Sequence, residues 1–142
     1  DPSKKMSKSD DADSYVALLD SPGIIRKKIK GAVTDSGKEI IYDPRKKPAI
    51  SNLLSLFEMA SGMPIKRLEQ KYKNSGYAEF KNDLAAAIVD HLSPIQKKCR
   101  EFSKKPSAIE KILRDGSKKS RIEAQKTMRE VKEKIGLLSD RP

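Results

Sequence analysis

The sequence predicts an all-α fold, a helical bundle of about six helices preceded by a loop and a short extended segment. Two observations predict it. Apolar residues recur at steps of three and four through Pro48–Ala60 and Tyr77–Phe102, which is the spacing of one helix face. Between and around these stretches lie clusters of Pro, Gly, Asn and Ser that stop one helix and start another, leaving room for little or no sheet.

Residues 1–13 are polar, lack periodicity and read as a loop. "SYVALLD", Ser14–Asp20, is a short apolar run that fits a strand or an extended connector, and period alone does not decide between them. Ser21 followed by Pro22 is a helix N-cap with proline at the first helical position, opening a helix with Ile25, Ile29 and Ala32 on one side. "TDSGKE" and "YDPRKKP" are rich in turn residues, so Thr34–Lys47 reads as loop with at most a brief extended piece at Ile40–Tyr42.

From Pro48 to Ala60 the residues Ile50, Leu53, Leu54 and Phe57 fall at helical spacing. "SGMP" closes that helix, a short one follows through Lys73, and Asn74–Gly76 breaks the chain again. In Tyr77–Phe102 the face is made by Phe80, Leu84, Ile88, His91, Ile95 and Cys99. Pro94 lacks a backbone donor and crowds the carbonyl of Asp90, so a kink at Asp90–Pro94 is expected rather than an end. Ser107 with Glu110 has the spacing of a capping box for the next helix. Gly116 should stop that helix and Ser117 restart another, with Ala124, Met128, Val131 and Ile135 as its apolar stripe.

A chain of 142 residues suits one domain with a modest core. Its 31 Lys and Arg exceed its 20 Asp and Glu, for a net charge of +11, so its field attracts a polyanion before contact. Nucleic acid is the leading partner class, and a well-solvated helical surface is the alternative. The positive charge is clustered at Lys4, Lys5 and Lys8, at Arg26, Lys27, Lys28 and Lys30, at Arg45–Lys47, and at Lys97, Lys98 and Arg100. Cys99 is the single cysteine, which rules out an internal disulfide and a thiolate metal cage and fits a reducing, cytoplasmic compartment. No apolar run reaches the ~18 residues of a membrane helix, and "DPSKKMS" has no signal-peptide core. A chain that begins with Asp1 rather than Met is expected to be a piece of something longer.

Few residues can carry chemistry. His91 is the only histidine, on an apolar face and without a second imidazole for a metal pair, so a hydrogen-bonded histidine at the core or its boundary is expected. There is no G-x-S-x-G elbow and no Gly-rich phosphate loop, and the neighbouring carboxylates sit in loops beside basic residues. No metal site is expected. What remains is "KKMSKSDD", Lys4–Asp11, where the ammonium groups of Lys5 and Lys8 alternate with the hydroxyls of Ser7 and Ser9. Such a loop can wrap a polyphosphate and stabilise charge growing on a leaving group, although these residues alone fit a solvated tail as well. On the last helix Lys118, Arg121, Gln125, Arg129 and Lys132 share a face and form a candidate phosphate track. The competing reading is a solvated face with intrahelical pairs such as Glu130 with Lys134. No aromatic lies among those residues, so base stacking there is not indicated.

"KMSKS" at Lys5–Ser9 resembles the second signature of class I aminoacyl-tRNA synthetases. "KMSKSD", "YVALLDSP", "IRKKIKGAVTDS", "KPAISNLLSLF", "GYAEFKNDLA" and "LSPIQ" follow in the order and spacing of the bacterial-type tryptophanyl-tRNA synthetase family, and the resemblance runs from Lys5 to about Leu137. One departure is visible: Ala49 stands where the family commonly has glycine, which matters only if that backbone needs positive φ.

The resemblance implies that residues 1–20 end a catalytic domain and carry its ATP loop, and that residues 21–142 form a helical anticodon-binding domain. Lys5 and Lys8 would be catalytic, and Lys5, Met6, Ser7, Lys8 and Ser9 would contact ATP, with Mg²⁺ as the accompanying ion. Lys118, Arg121, Gln125, Arg129 and Lys132 would face tRNA(Trp). The implied whole enzyme is a cytoplasmic homodimer that joins tryptophan to tRNA with consumption of ATP. The family's nucleotide-binding sheet and tryptophan pocket lie upstream of the loop, and isolated His91 in "VDHLSP" cannot supply the other, histidine-containing signature. The segment alone should therefore be inactive, and Val16, Leu18 and Leu19, left open by an absent domain, should be covered by a crystal neighbour or another copy. The alternatives are a self-standing basic helical module that binds RNA without catalysis and a protein-interaction bundle with incidental charge.

Overall fold

A computed structural model describes residues 11–137 of the chain. Among the described residues there are five α-helices and no strand: α1 Pro22–Gly31, α2 Pro48–Ser61, α3 Ile65–Lys71, α4 Tyr77–Ser103 and α5 Pro106–Lys134, preceded by a 3₁₀ turn at Ala12–Ser14. The chain divides into two compact units whose boundary, between Lys97 and Lys98, falls inside α4.

In the first unit α1 starts where sequence chemistry places it, with Ser21 Oγ accepting from the Ile24 amide and Pro22 in the first turn. Its far end is capped from another helix. Lys81 of α4 donates Nζ to the carbonyls of Lys30 and Ala32 at 3.2 and 2.6 Å, placing a cation at the negative end of the helix dipole. Burial lowers the pKa of Lys81.

The N-terminus of α2 is likewise satisfied from a distance. Lys47 provides no side-chain cap, but the Asp35 carboxylate accepts from the amides of Ala49 and Ile50 at 3.3 and 2.8 Å. The intervening segment is a loop without strand, held by Asp43, whose Oδ1 accepts from the Arg45 and Lys46 amides and whose own amide donates to Ser51 Oγ. Ala49 is buried in α2, and among the described residues no non-glycine has positive φ, so the departure from glycine costs no backbone strain. Gly62, at φ 71°, ends α2 in the left-handed conformation that glycine adopts freely.

The core of this unit brings Ile25 and Ile29 of α1, Ile40 of the loop, and Ile50, Leu53, Leu54 and Phe57 of α2 against Leu68, Tyr72 and the α4 residues Phe80, Leu84, Ala85, Ile88 and Leu92. Each such large side chain contributes about 1.5–3 kcal/mol by leaving water. At its centre the rings of Phe57, Tyr72 and Phe80 lie 5.2–5.8 Å apart, Tyr72 meeting Phe80 edge to face.

Three sequence expectations are corrected. His91 is exposed and Leu92 takes the buried place: both lie one turn beyond Ile88, and the apolar side chain gains more by leaving water. Ser107 and Glu110 form no capping box, because Pro106 already occupies the first turn and the cap position falls on Lys105, which makes no side-chain cap bond. Gly116 does not end a helix. It lies inside α5, where one glycine costs about 1 kcal/mol, too little to break 29 residues of otherwise favourable sequence. One helix therefore stands where two were expected. The helix through Pro94 continues unbroken to Ser103, as expected.

In the second unit α5 has no buried residue. Its apolar stripe is present but open, with Met128, Val131 and Ile135 all exposed.

Candidate functional site

The loop Lys5–Ser9 lies outside the described residues, so Lys5, Met6, Ser7, Lys8 and Ser9 receive no structural account. The segment that follows it is well defined by its bonds. Asp11 caps the 3₁₀ turn by accepting from the Asp13 amide at 3.2 Å, and Lys27 pairs with Asp13 at 3.7 Å on the surface. Tyr15–Asp20 then lies across the first unit as an irregular connector rather than a strand. Val16 packs against the core, whereas Leu18 and Leu19 are exposed.

Asp20 gathers the bonds that hold this connector. Its Oδ2 accepts from the Ala17 amide at 2.9 Å and from Lys28 Nζ at 2.8 Å. The Lys28 and Asp20 side chains retain only 7% and 14% of their exposure, so this pair works with little solvent screening. The Lys28 hydrogen bond is the main reason that the Asp20 pKa lies below the ordinary carboxylate value. Lys28 also lies 5.0 Å from the centroid of the Tyr15 ring. From the other side, Gln96 of α4 donates Nε2 to the carbonyls of Leu18 and Asp20 at 2.9 and 3.0 Å.

Sequence reasoning placed Lys28 in a cation cluster and did not single out Gln96. Lys28 is consumed by the structure, as are Lys47, bound to Glu39, and Lys81, bound to two carbonyls. No local signal identifies them, because each partner lies between 8 and 51 residues away.

On α5 the structure does bring the predicted residues together. Lys118, Arg121, Gln125, Arg129 and Lys132 follow one another at steps of three and four along a single helix, a row of about 21 Å at 1.5 Å per residue. Lys111 and Arg114 continue the same row upstream, and Arg114, Ser117, Lys118 and Arg121 line a shallow surface concavity. Among the described residues the one ion pair on α5 joins Arg129 to Glu133 at 4.0 Å, and the pair of Glu130 with Lys134 is not formed. Lys118, Arg121 and Lys132 thus present charge that no acidic side chain within salt-bridge distance neutralises among the described residues. Such a row can bind successive phosphates but offers no acid or base positioned for chemistry.

The family model of tRNA synthetases class I (W and Y) matches residues 1–93. The tryptophan–tRNA ligase of Caldanaerobacter subterraneus subsp. tengcongensis is 44% identical over 138 residues, 96% of this chain and 42% of the relative. That of Enterococcus faecalis is 42% identical over 138 residues, 96% of this chain and 41% of the relative. A crystal structure of tryptophanyl-tRNA synthetase from Mycoplasma pneumoniae matches with a TM-score of 0.80 at 28% identity, covering 98% of this chain and 44% of that one. The chain spans about two-fifths of the length of these relatives. No helix among the described residues is long and apolar enough to cross a membrane.

Proposed function

The chain belongs to the tRNA synthetases class I (W and Y), and from that premise we propose that it is the C-terminal segment of a tryptophan–tRNA ligase. In this reading residues 1–20 end the catalytic domain with its ATP loop, and residues 21–142 form the helical domain that receives the tRNA anticodon. The observation that carries it is the 44% identity to such a ligase across 96% of the chain, with "KMSKS" at Lys5–Ser9.

The reaction follows from the chemistry of its substrates. A carboxylate oxygen of tryptophan attacks the α-phosphorus of ATP, a new P–O bond forms, and the bond to pyrophosphate breaks with its electron pair leaving on the pyrophosphate. Lys5 and Lys8 stabilise that growing charge, Ser7 and Ser9 shape and anchor the loop, and Met6 packs against its base. A ribose hydroxyl of tRNA(Trp) then attacks the acyl carbon of the resulting tryptophanyl adenylate, the ester bond to tRNA forms, and AMP leaves with the electron pair of the broken anhydride bond. We take Mg²⁺ as part of the magnesium–ATP substrate.

The row on α5 supplies phosphate contacts to the tRNA through Lys118, Arg121, Arg129 and Lys132, with Gln125 as a neutral donor among them. The whole enzyme works in the cytoplasm as a homodimer, and this segment alone lacks activity because the nucleotide-binding sheet and tryptophan pocket belong to the upstream part.

The alternative, a basic helical module that binds RNA without chemistry, draws on the open basic row of α5. Supplying the upstream part in cis or in trans and measuring tryptophan-dependent exchange of pyrophosphate into ATP separates the two. Exchange only when both parts are present supports the ligase; a restored full-length chain without exchange supports the module.

A further inference from the structure

We propose that Gln96 is a positioning residue for the ATP loop, acting through the backbone of Leu18–Asp20 that follows it. The inference rests on the reading of Lys5–Ser9 as that loop.

The Gln96 amide nitrogen reaches two main-chain carbonyls at once, Leu18 O at 2.9 Å and Asp20 O at 3.0 Å, across 78 and 76 residues of sequence. Both partners are acceptors without a proton, so only the NH₂ end of the amide can face them, which fixes the orientation of the side chain. The two carbonyls flank Leu19, whose side chain is exposed and provides no anchor of its own. Lys28 holds Asp20 from α1 while Gln96 holds the same residue from α4, so the connector is clamped from two helices of one unit.

The clamp follows the loop in sequence, Leu18 standing nine residues after Ser9. Ser9 stands two residues before Asp11 in the sequence, and Asp11 accepts from the Asp13 amide. Between Asp11 and the clamp, the turn at Ala12–Ser14 and the packing of Val16 leave little slack. A charged loop that must meet phosphate to within about 0.5 Å needs a fixed stem, because misplacement by about 1 Å lowers a rate by roughly a hundredfold. Gln96 supplies that stem without touching substrate.

The full-length enzyme carrying this chain tests it. Gln96→Glu keeps the shape but sets a carboxylate against two carbonyls; Gln96→Lys restores donors that reach both; Gln96→Ser removes the donors without adding charge. In tryptophan-dependent pyrophosphate exchange, Gln96→Glu and Gln96→Ser are expected to lower kcat by about tenfold or more while the KM for tryptophan stays within about twofold. Gln96→Lys is expected to return kcat to within about threefold of the parent. An unchanged kcat in Gln96→Glu and Gln96→Ser overturns the inference. So does a loss that Gln96→Lys does not restore and that matches the loss of folded protein seen by thermal melting. A parent enzyme without tryptophan-dependent exchange would instead overturn the ATP-loop reading itself, so the two failures are told apart.

Discussion

Tyr72 and Asp83 are joined by a hydrogen bond of 2.6 Å in which the phenol donates to Oδ2, tying the end of α3 to α4 beside the aromatic centre of the core. Lys71 reaches the same oxygen at 3.1 Å, but both side chains of that pair are about half exposed, so it contributes about 0–1 kcal/mol. The phenol is the stronger tie. Tyr72→Phe keeps the buried ring and removes the carboxylate's best donor, and is expected to lower unfolding free energy by about 1–2 kcal/mol in urea titrations at neutral pH. A variant as stable as the parent would show that the ring alone holds this junction.

Stability should also fall in acid, with two carboxylates responsible. The pKa of Asp83 is lowered chiefly by the Tyr72 hydrogen bond, with Lys71 adding to it, and that of Asp20 chiefly by the Lys28 hydrogen bond. A group whose folded pKa lies below its unfolded value stabilises the fold above the unfolded pKa, and that contribution is lost as pH falls through the folded pKa. The window therefore opens near the ordinary carboxylate value of about 3.9 and extends below it. Unfolding midpoints measured from neutral pH down through this window should drop, and the drop should shrink in Asp20→Asn and Asp83→Asn.

Much of the first unit can be read locally because its signals are local. Ser21 and Pro22 start α1 within one turn, and the period through Ile50, Leu53, Leu54 and Phe57 is itself the buried face of α2. What escapes the sequence is set by distant partners: Asp35 caps a helix 14 residues on, Lys81 caps one 49 residues back, and Gln96 grips carbonyls 76 and 78 residues away. His91 and Leu92 show a different limit, since neighbouring residues one turn beyond Ile88 both satisfy the period and only burial separates them. The row Lys118–Lys132 is legible because helix geometry alone brings those residues together, whereas the proposal that Lys5–Ser9 is an ATP loop rests on its motif and flanks and not on charge.

The α5 row makes a quantitative prediction for RNA. Binding of tRNA(Trp) to the full-length enzyme should weaken linearly in log salt. The double variant Lys118→Gln, Arg121→Gln should flatten that slope by about two, about one for each phosphate that is no longer neutralised. An unchanged slope would remove these two side chains from the interface and favour a merely solvated face. Gln125→Ala, which removes no charge, should leave the slope as it is.

The most direct measurement concerns Lys8. In the full-length enzyme, Lys8→Ala is expected to slow tryptophan-dependent exchange of pyrophosphate into ATP by about a hundredfold or more, since a donor to transition-state charge is removed, while tryptophan binding stays within about twofold. Exchange at the parent rate in Lys8→Ala would contradict the assignment of Lys5–Ser9 as the ATP loop.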